Sequence, residues 1–227
     1  MINWPSLETV FLDMDGTLLD LHFDNYFWLH HLPRRYAEQH QLTPEQAQNK
    51  ILPMITAQRG TLNWYCVDYW SDRLAVDVNG LKAEVRDRIA YRPDVKDFLG
   101  GLQASGLRTV IVTNCHPKPL QLKLDHTGLH QLVDDVISSH EFGKPKEDVS
   151  FWSDLQRRTP YQPAQTLLVD DSLPVLSSAR AAGIGHCLAI LAPDSKQPPR
   201  EPAADLPGIQ HFREVLPALK ALRDTKD

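Results

Sequence analysis

Two rhythms of apolar residues divide this chain. In TVFLDMDGTLLD, residues 9–20, the run Val10-Phe11-Leu12 breaks off into acids and a glycine, the pattern of a buried strand that ends in a polar loop. Over residues 24–90 the period lengthens. Phe27, Leu32 and Tyr36 recur at helical spacing, and Thr43-Pro44-Glu45-Gln46 has the form of a helix start. There Thr43 is the N-cap, Pro44 the first helical residue and Gln46 the residue that reaches back. This stretch is expected to be mainly helical.

Beyond residue 90 strands and helices alternate. Pro93 opens a helix through DVKDFLGGLQASG, which Gly106 ends. Thr109-Val110-Ile111-Val112-Thr113-Asn114 is a near-continuous apolar strand of the kind buried on both faces. Further helices are expected at about 117–127, 148–158, 173–182 and 214–223, and strands at 136–137, 165–169 and 186–190. The Pro-rich segment 193–208 reads as a surface loop with no evident role. Such alternation specifies an α/β fold, a doubly wound parallel sheet. The expected organisation is a core of residues 1–20 plus 91–227, split by a helical insert, residues 21–90.

Composition narrows the classes. With 42% hydrophobic and 23% charged residues the chain is an ordinary globular one, neither disordered nor fibrous. Its 227 residues allow one large domain, or a domain with an insert, that folds without disulfides. A net charge of −5 without a basic stripe argues against a nucleic acid polymer as partner. No apolar run is long enough to span a bilayer, and the opening MINWPSLETV lacks the pattern of a signal peptide, so no membrane association is expected. Cys66, Cys115 and Cys187 are odd in number and scattered, which fits free thiols in a reducing cytoplasm. His30, His31 and His116 form no H-x-x-x-H spacing and match no cysteine pattern, so zinc is not expected. No obligate protein partner is inferred.

In a doubly wound sheet, ligands bind beyond the carboxyl ends of the strands. Those ends hold Asp13 and Asp15, then Thr113 and Asn114, then Lys146 in the loop after the third strand, then Asp170 and Asp171. Crowded carboxylates repel each other and raise each other's pKa, and a hard cation such as Mg²⁺, which prefers oxygen ligands, relieves the repulsion. Asp13 can then attack phosphorus as a nucleophile. Asp15 is placed to protonate the leaving oxygen and afterwards to activate water. Thr113 and Asn114 would donate to the transferring group, Lys146 would supply positive charge, and Gly16 permits a turn that a side chain would obstruct.

These residues carry a resemblance. Asp13-Met14-Asp15-Gly16-Thr17-Leu18 resembles the DxDGT first motif of the haloacid dehalogenase-like phosphatase superfamily. Val110 to Asn114 resembles its second motif, and Leu167-Leu168-Val169-Asp170-Asp171 its fourth. The motifs occur in the family's order. The resemblance implies a Rossmann-like sheet with a helical cap inserted after the first motif, and Mg²⁺-dependent phosphomonoester hydrolysis through a phospho-aspartyl intermediate. It also implies metal ligation by Asp13, Asp15 and Asp171, with Asp170 on the metal or on its water. For the motif lysine, Lys144 has the following proline, whereas Lys146 has Trp152 six residues on. The second spacing favours Lys146. Asp15 argues against the dehalogenase branch, which lacks that acid.

Within the insert, Leu18 to Leu21, Phe23 to Trp28, Thr61 to Cys66 and Asp68-Tyr69-Trp70 are similar to the bacterial GMP/IMP-type 5′-nucleotidase branch. This implies a small-molecule substrate, a purine nucleoside monophosphate, contacted by residues such as Asp20, Asn63, Trp64, Tyr65 and Asp68. A phosphatase or mutase for phosphoglycolate or a sugar phosphate is the alternative. A phospho-receiver module also joins acids, Thr and Lys on such a sheet, but is about half as long and carries its acid pair near the first strand.

Overall fold

The computed structural model describes residues 2–224. Strand β1, Thr9–Leu12, is followed by a run of helices before the chain returns to the sheet. These are α1 (His22–Tyr26), α2 (Leu32–His40), α3 (Pro44–Thr56), α4 (Leu62–Tyr65), α5 (Val67–Leu74), α6 (Val78–Ala83) and α7 (Val95–Ala104). The sheet resumes with β2 (Arg108–Thr113), α8 (Pro117–Thr127), β3 (Asp135–Ser138), α9 (Val149–Arg158), β4 (Thr166–Asp170) and α10 (Leu173–Ala181). It ends with β5 (His186–Ile190), β6 (Gly208–Ile209) and α11 (Leu216–Asp224).

All strand pairs are parallel, in the order β3-β2-β1-β4-β5-β6. The chain builds outward from β1 to β3, then crosses back to β4 on the other side of β1. That reversal is the switch point at which such sheets bind ligands. Leu12 registers with Ile111 on one side and Val169 on the other, so Asp13 and Asp170 emerge together.

Alternate side chains feed opposite faces, which is why the strands read as unbroken apolar runs. Val10, Leu12, Ile111 and Val169 pack with Phe98, Leu120, Phe212 and Leu219 on one face. Phe11, Val110, Val112 and Leu168 pack with Trp152, Leu155 and Leu176 on the other. A third apolar cluster, including Phe27, Leu32, Ile51, Trp70 and Val78, belongs to the helices that follow β1.

Local signals act as physics requires. Thr43 and Gln46 form the reciprocal capping box that opens α3. Residues Phe27–His31, between α1 and α2, form a wider π turn. Pro33 has no N–H to offer Leu29, and the Gln48 side chain donates to that carbonyl instead. Three expectations need adjustment. The helix after Pro93 begins two residues later, at Val95, with Asp94 at φ +64° as its N-cap. The last helix begins at Leu216 rather than at 214. The segment 193–208 is not only a loop: Gly208 pairs with Ala189 and starts β6, a two-residue pairing set by tertiary contact rather than by any local pattern.

The helical excursion leaves and re-enters the sheet body along adjacent paths. Leu19 bridges Tyr91 in antiparallel fashion, the Asp20 N–H donates to Ala90, and the Arg92 N–H donates to Leu18. Arg92, buried by this junction, donates to the carbonyls of Thr17, Ala192 and Gln210 at 2.9, 3.1 and 2.7 Å. The segment 193–208 closes on the same junction. Leu21 donates to the Pro193 carbonyl, Ser195 to Asp20 Oδ1, and Asn25 to Asp194 Oδ2.

Candidate active site

Asp13 continues the ladder past β1, its N–H donating to Val169 at 2.9 Å. Its carboxylate is buried against Lys146, whose Nζ donates to Asp13 Oδ1 at 2.6 Å, Asp170 Oδ2 at 2.7 Å and the Val112 carbonyl at 2.9 Å. Burial pushes Asp13 up to about 7, with Asp170 and Asp15 adding to the shift and Lys146 opposing it. Burial likewise takes Asp170 to about 6 and Asp171 to about 7. The two carboxylates hold Lys146 above its ordinary value despite its burial. Lys144, the other lysine of the motif, pairs with Asp154 at 2.7 Å and Ser150 at 3.0 Å. Lys146 is therefore the lysine that meets the acids.

One oxygen each from Asp13, Asp170 and Asp171 lie within 4.8 Å of one another. A divalent cation fits here, because three crowded carboxylates with raised pKa values are what a hard, oxygen-loving ion neutralises. Asp15 is not in this group. Its Oδ1 accepts from Lys123 Nζ at 2.7 Å, which draws the carboxylate away from the expected metal-ligand set. Gly16 sits at φ +85°, and a Cβ there would come within 2.8 Å of the Asp171 carboxyl carbon. The turn and the close approach both demand glycine.

The loop after β2 positions the lysine. Thr113 ends the strand buried, its Oγ1 accepting from the Cys115 N–H at 3.0 Å. Asn114 Oδ1 accepts from the Lys146 N–H at 2.9 Å, and its Nδ2 donates to Glu147 Oε2 at 2.9 Å. The Asn114 amide thus clasps the lysine's loop. Tyr65 reaches the same place, its hydroxyl donating to Glu147 Oε1 at 2.7 Å. Burial and the adjacent Glu147 push that hydroxyl far up, so it remains a donor.

The other expected substrate contacts are differently employed. Asp20 Oδ1 accepts from the N–H groups of His22 and Ser195 at 2.9 and 3.1 Å, a role in the junction. Asn63 donates to Gln58, and the Trp64 ring is covered by the Arg59 guanidinium. Asp68 pairs with Lys118 at 2.6 Å. Of the five, the structure brings Tyr65 to the loop that carries Lys146.

Three charged partners escaped the sequence reading. Lys123, on α8, is buried between Asp15 and Asp24, each at 2.7 Å. Lys82, on α6, completes the row by pairing with the other oxygen of Asp24 at 2.5 Å, over the rings of Phe23 and Phe27. Burial opposes charge on Asp24, but the two lysines outweigh it and hold the carboxyl well below the usual range. Burial raises Asp15, with Lys123 pulling the other way. One signal for Lys123 existed, since it lies in the buried stripe Pro119, Leu120, Leu124 of its helix, and a charge there needs a partner. Arg200, in the segment after β5, donates to the Asp171 carbonyl at 2.6 Å and lies 3.2 Å from its carboxylate.

Known proteins resemble this chain along most of its length. The sequence profile of the haloacid dehalogenase-like hydrolase family matches residues 7–183. The chain is 40% identical to the GMP/IMP nucleotidase YrfG of Escherichia coli strain K12, over 96% of this chain and 98% of that one. In fold it is similar to a HAD phosphatase from Thermococcus onnurineus, with a TM-score of 0.78 at 21% identity, covering 94% of this chain and 98% of that one. The L-2-haloacid dehalogenase of Xanthobacter autotrophicus superposes less closely, with a TM-score of 0.62 at 17% identity over 94% and 98% of the two chains. The acids that open and close the switch point thus stand within a match that takes in most of the sequence, and this chain belongs to the haloacid dehalogenase-like hydrolase family.

Proposed function

We propose that the protein is a Mg²⁺-dependent phosphomonoesterase that works through a phospho-aspartyl enzyme, with purine nucleoside monophosphates such as GMP and IMP as substrates. The observation that carries the chemistry is the Lys146 ammonium, which braces Asp13 and Asp170 beside Asp171. The substrate class rests on the similarity to YrfG across nearly the whole chain.

Asp13, Asp170 and Asp171 are the residues that would hold Mg²⁺, which when bound supplies positive charge to phosphate oxygens. Lys146 occupies Oδ1 of Asp13, which leaves Oδ2 to attack phosphorus. Asp15, whose pKa burial raises, would give a proton to the leaving oxygen and afterwards take one from the water that releases phosphate. Thr113 presents its hydroxyl, and Asn114 fixes the Lys146 loop. In this reading residues 21–90 form a cap that excludes bulk water, with Tyr65 and Glu147 joining it to the core. The free cysteines support a reducing, cytoplasmic setting.

The test is phosphate release from GMP, IMP, AMP, CMP, UMP, phosphoglycolate and glucose 6-phosphate, with and without Mg²⁺, by the native enzyme and by Asp13→Asn. Mg²⁺-dependent hydrolysis confined to GMP and IMP, absent in Asp13→Asn, is the expected result. Release from phosphoglycolate or the sugar phosphate instead would keep the chemistry and discard the purine assignment. Undiminished turnover by Asp13→Asn would remove the nucleophile.

A further inference from the structure

We propose a second metal site, for a zinc-class cation, made by Cys66, His116 and His140. One ligand atom from each lies within 4.8 Å of the others. The three come from different elements. Cys66 ends α4 and caps α5, His116 caps α8 after β2, and His140 follows β3. No local spacing in the sequence connects them.

The donor set is selective. A thiolate with two imidazoles suits Zn²⁺ and its borderline-soft neighbours, and is a poor set for Mg²⁺, which takes oxygen. The oxygen cluster of the candidate active site has the opposite preference, so the two sites sort cations by chemistry.

The surroundings of each ligand agree. The His140 ring lies against the Asn114 backbone. Its Nε2 is buried and has no hydrogen-bond partner among the described residues. Cys66 Sγ accepts from the Tyr69 N–H at 3.4 Å, a bond that a metal-bound thiolate keeps. The thiol is half-buried, which leaves a path for an ion. His116 Nε2 lies 3.7 Å from Asp68 Oδ2, which places an oxygen and a negative charge beside the fourth position. Ligation through His116 Nε2 moves the ring proton to Nδ1 and gives up the long 3.3 Å contact from the Lys118 N–H.

The consequence is a tether. Cys66 belongs to the helices inserted between β1 and β2, whereas His116 and His140 stand at the carboxyl edge of the sheet. An ion bound here fastens the insert to the edge where Asn114 and Lys146 lie.

The test uses the full chain in excess Mg²⁺, so that the oxygen cluster is filled, titrated with Zn²⁺ against a chromophoric chelator, with Co²⁺ as a spectroscopic stand-in. One retained equivalent of Zn²⁺ and a thiolate-to-cobalt charge-transfer band are expected. Cys66→Ser should remove the band, and both it and His140→Gln should weaken Zn²⁺ by more than about tenfold, a loss that even outer-shell changes produce. Zn²⁺ should also slow alkylation of Cys66 in the unsubstituted protein, which needs no variant to fold. Zinc that excess Mg²⁺ displaces, a cobalt spectrum without the thiolate band, or alkylation unaffected by zinc would each overturn the site.

Discussion

Lys123 Nζ donates to Asp15 Oδ1 at 2.7 Å, so the acid assigned to proton transfer is tied to a buried lysine on α8. The same ammonium is 2.7 Å from Asp24, and Asp24 is 2.5 Å from Lys82. Asp15 therefore ends a row of alternating charges that begins among the inserted helices. Because Lys123 opposes the rise caused by burial, Lys123→Met should raise the Asp15 pKa further. The limb of the pH–rate profile in which Asp15 acts as base should move to higher pH. Phosphate release measured across pH would show this, and an unmoved limb would separate Asp15 from that limb.

Lys146 and Lys144 differ by two positions and should differ greatly in consequence. Lys146→Ala leaves Asp13 and Asp170 buried without their cation. A loss of about 3–5 kcal/mol is expected, as for one partner of a buried pair, together with loss of turnover. Lys144→Ala removes a solvent-screened pair with Asp154 and should cost little stability, with activity retained. Urea denaturation and phosphate release on the two variants check the contrast.

Metal and pH should be linked through the acids. Folding raises Asp13 and Asp171 to about 7 and Asp170 to about 6 from an unshifted 3.8. For an acid with a raised folded pKa, the folded state binds protons more tightly than the unfolded one. Its stability contribution is complete below pH 3.8 and is lost as pH rises through 6 to 7. The metal-free protein should melt at falling temperature across that window, and the gain in Tm from Mg²⁺ should grow with pH. Calorimetry at several pH values, with EDTA or Mg²⁺, decides it. A gain in Tm that is constant with pH would detach the cation from these carboxylates.

Gly16→Ala tests the close approach to Asp171. The new methyl meets the carboxylate at 2.8–3.0 Å in a backbone at φ +85°. A destabilisation of about 1–3 kcal/mol is expected from the strained backbone, with a higher Mg²⁺ requirement as Asp171 is pushed aside. A metal titration of activity beside a denaturation curve separates the two effects.

The sequence exposed the parts of this molecule that local pattern encodes. β1, β2 and β4 were legible because strands buried on both faces are unbroken apolar runs, and their ends directly named Asp13, Thr113, Asp170 and Asp171. The Thr43 capping box was legible because its two partners are three residues apart. Non-local dependencies were less so. β6 exists because Gly208 can lie beside Ala189, and no two-residue run announces that. Lys123 has its partners, Asp15 and Asp24, about a hundred residues away in sequence, where no local pattern links them. Asn114, read as a donor to phosphate, has both ends of its amide engaged by the Lys146 loop. Arg200 reaches Asp171 from a Pro-rich segment that reads as surface.

The sheet's two margins bear on how the protein behaves when crowded. An open strand edge is a template on which another chain can add, and proteins that must stay dispersed keep such edges short or obstructed. At one margin β3 has four residues, and the Asp135 side chain takes up the Val136 N–H at 2.8 Å. At the other, β5 is covered by the two residues of β6. Neither margin presents a long, regular ladder. The same two-residue pairing that no pattern predicted thus shortens the regular edge left open at that margin.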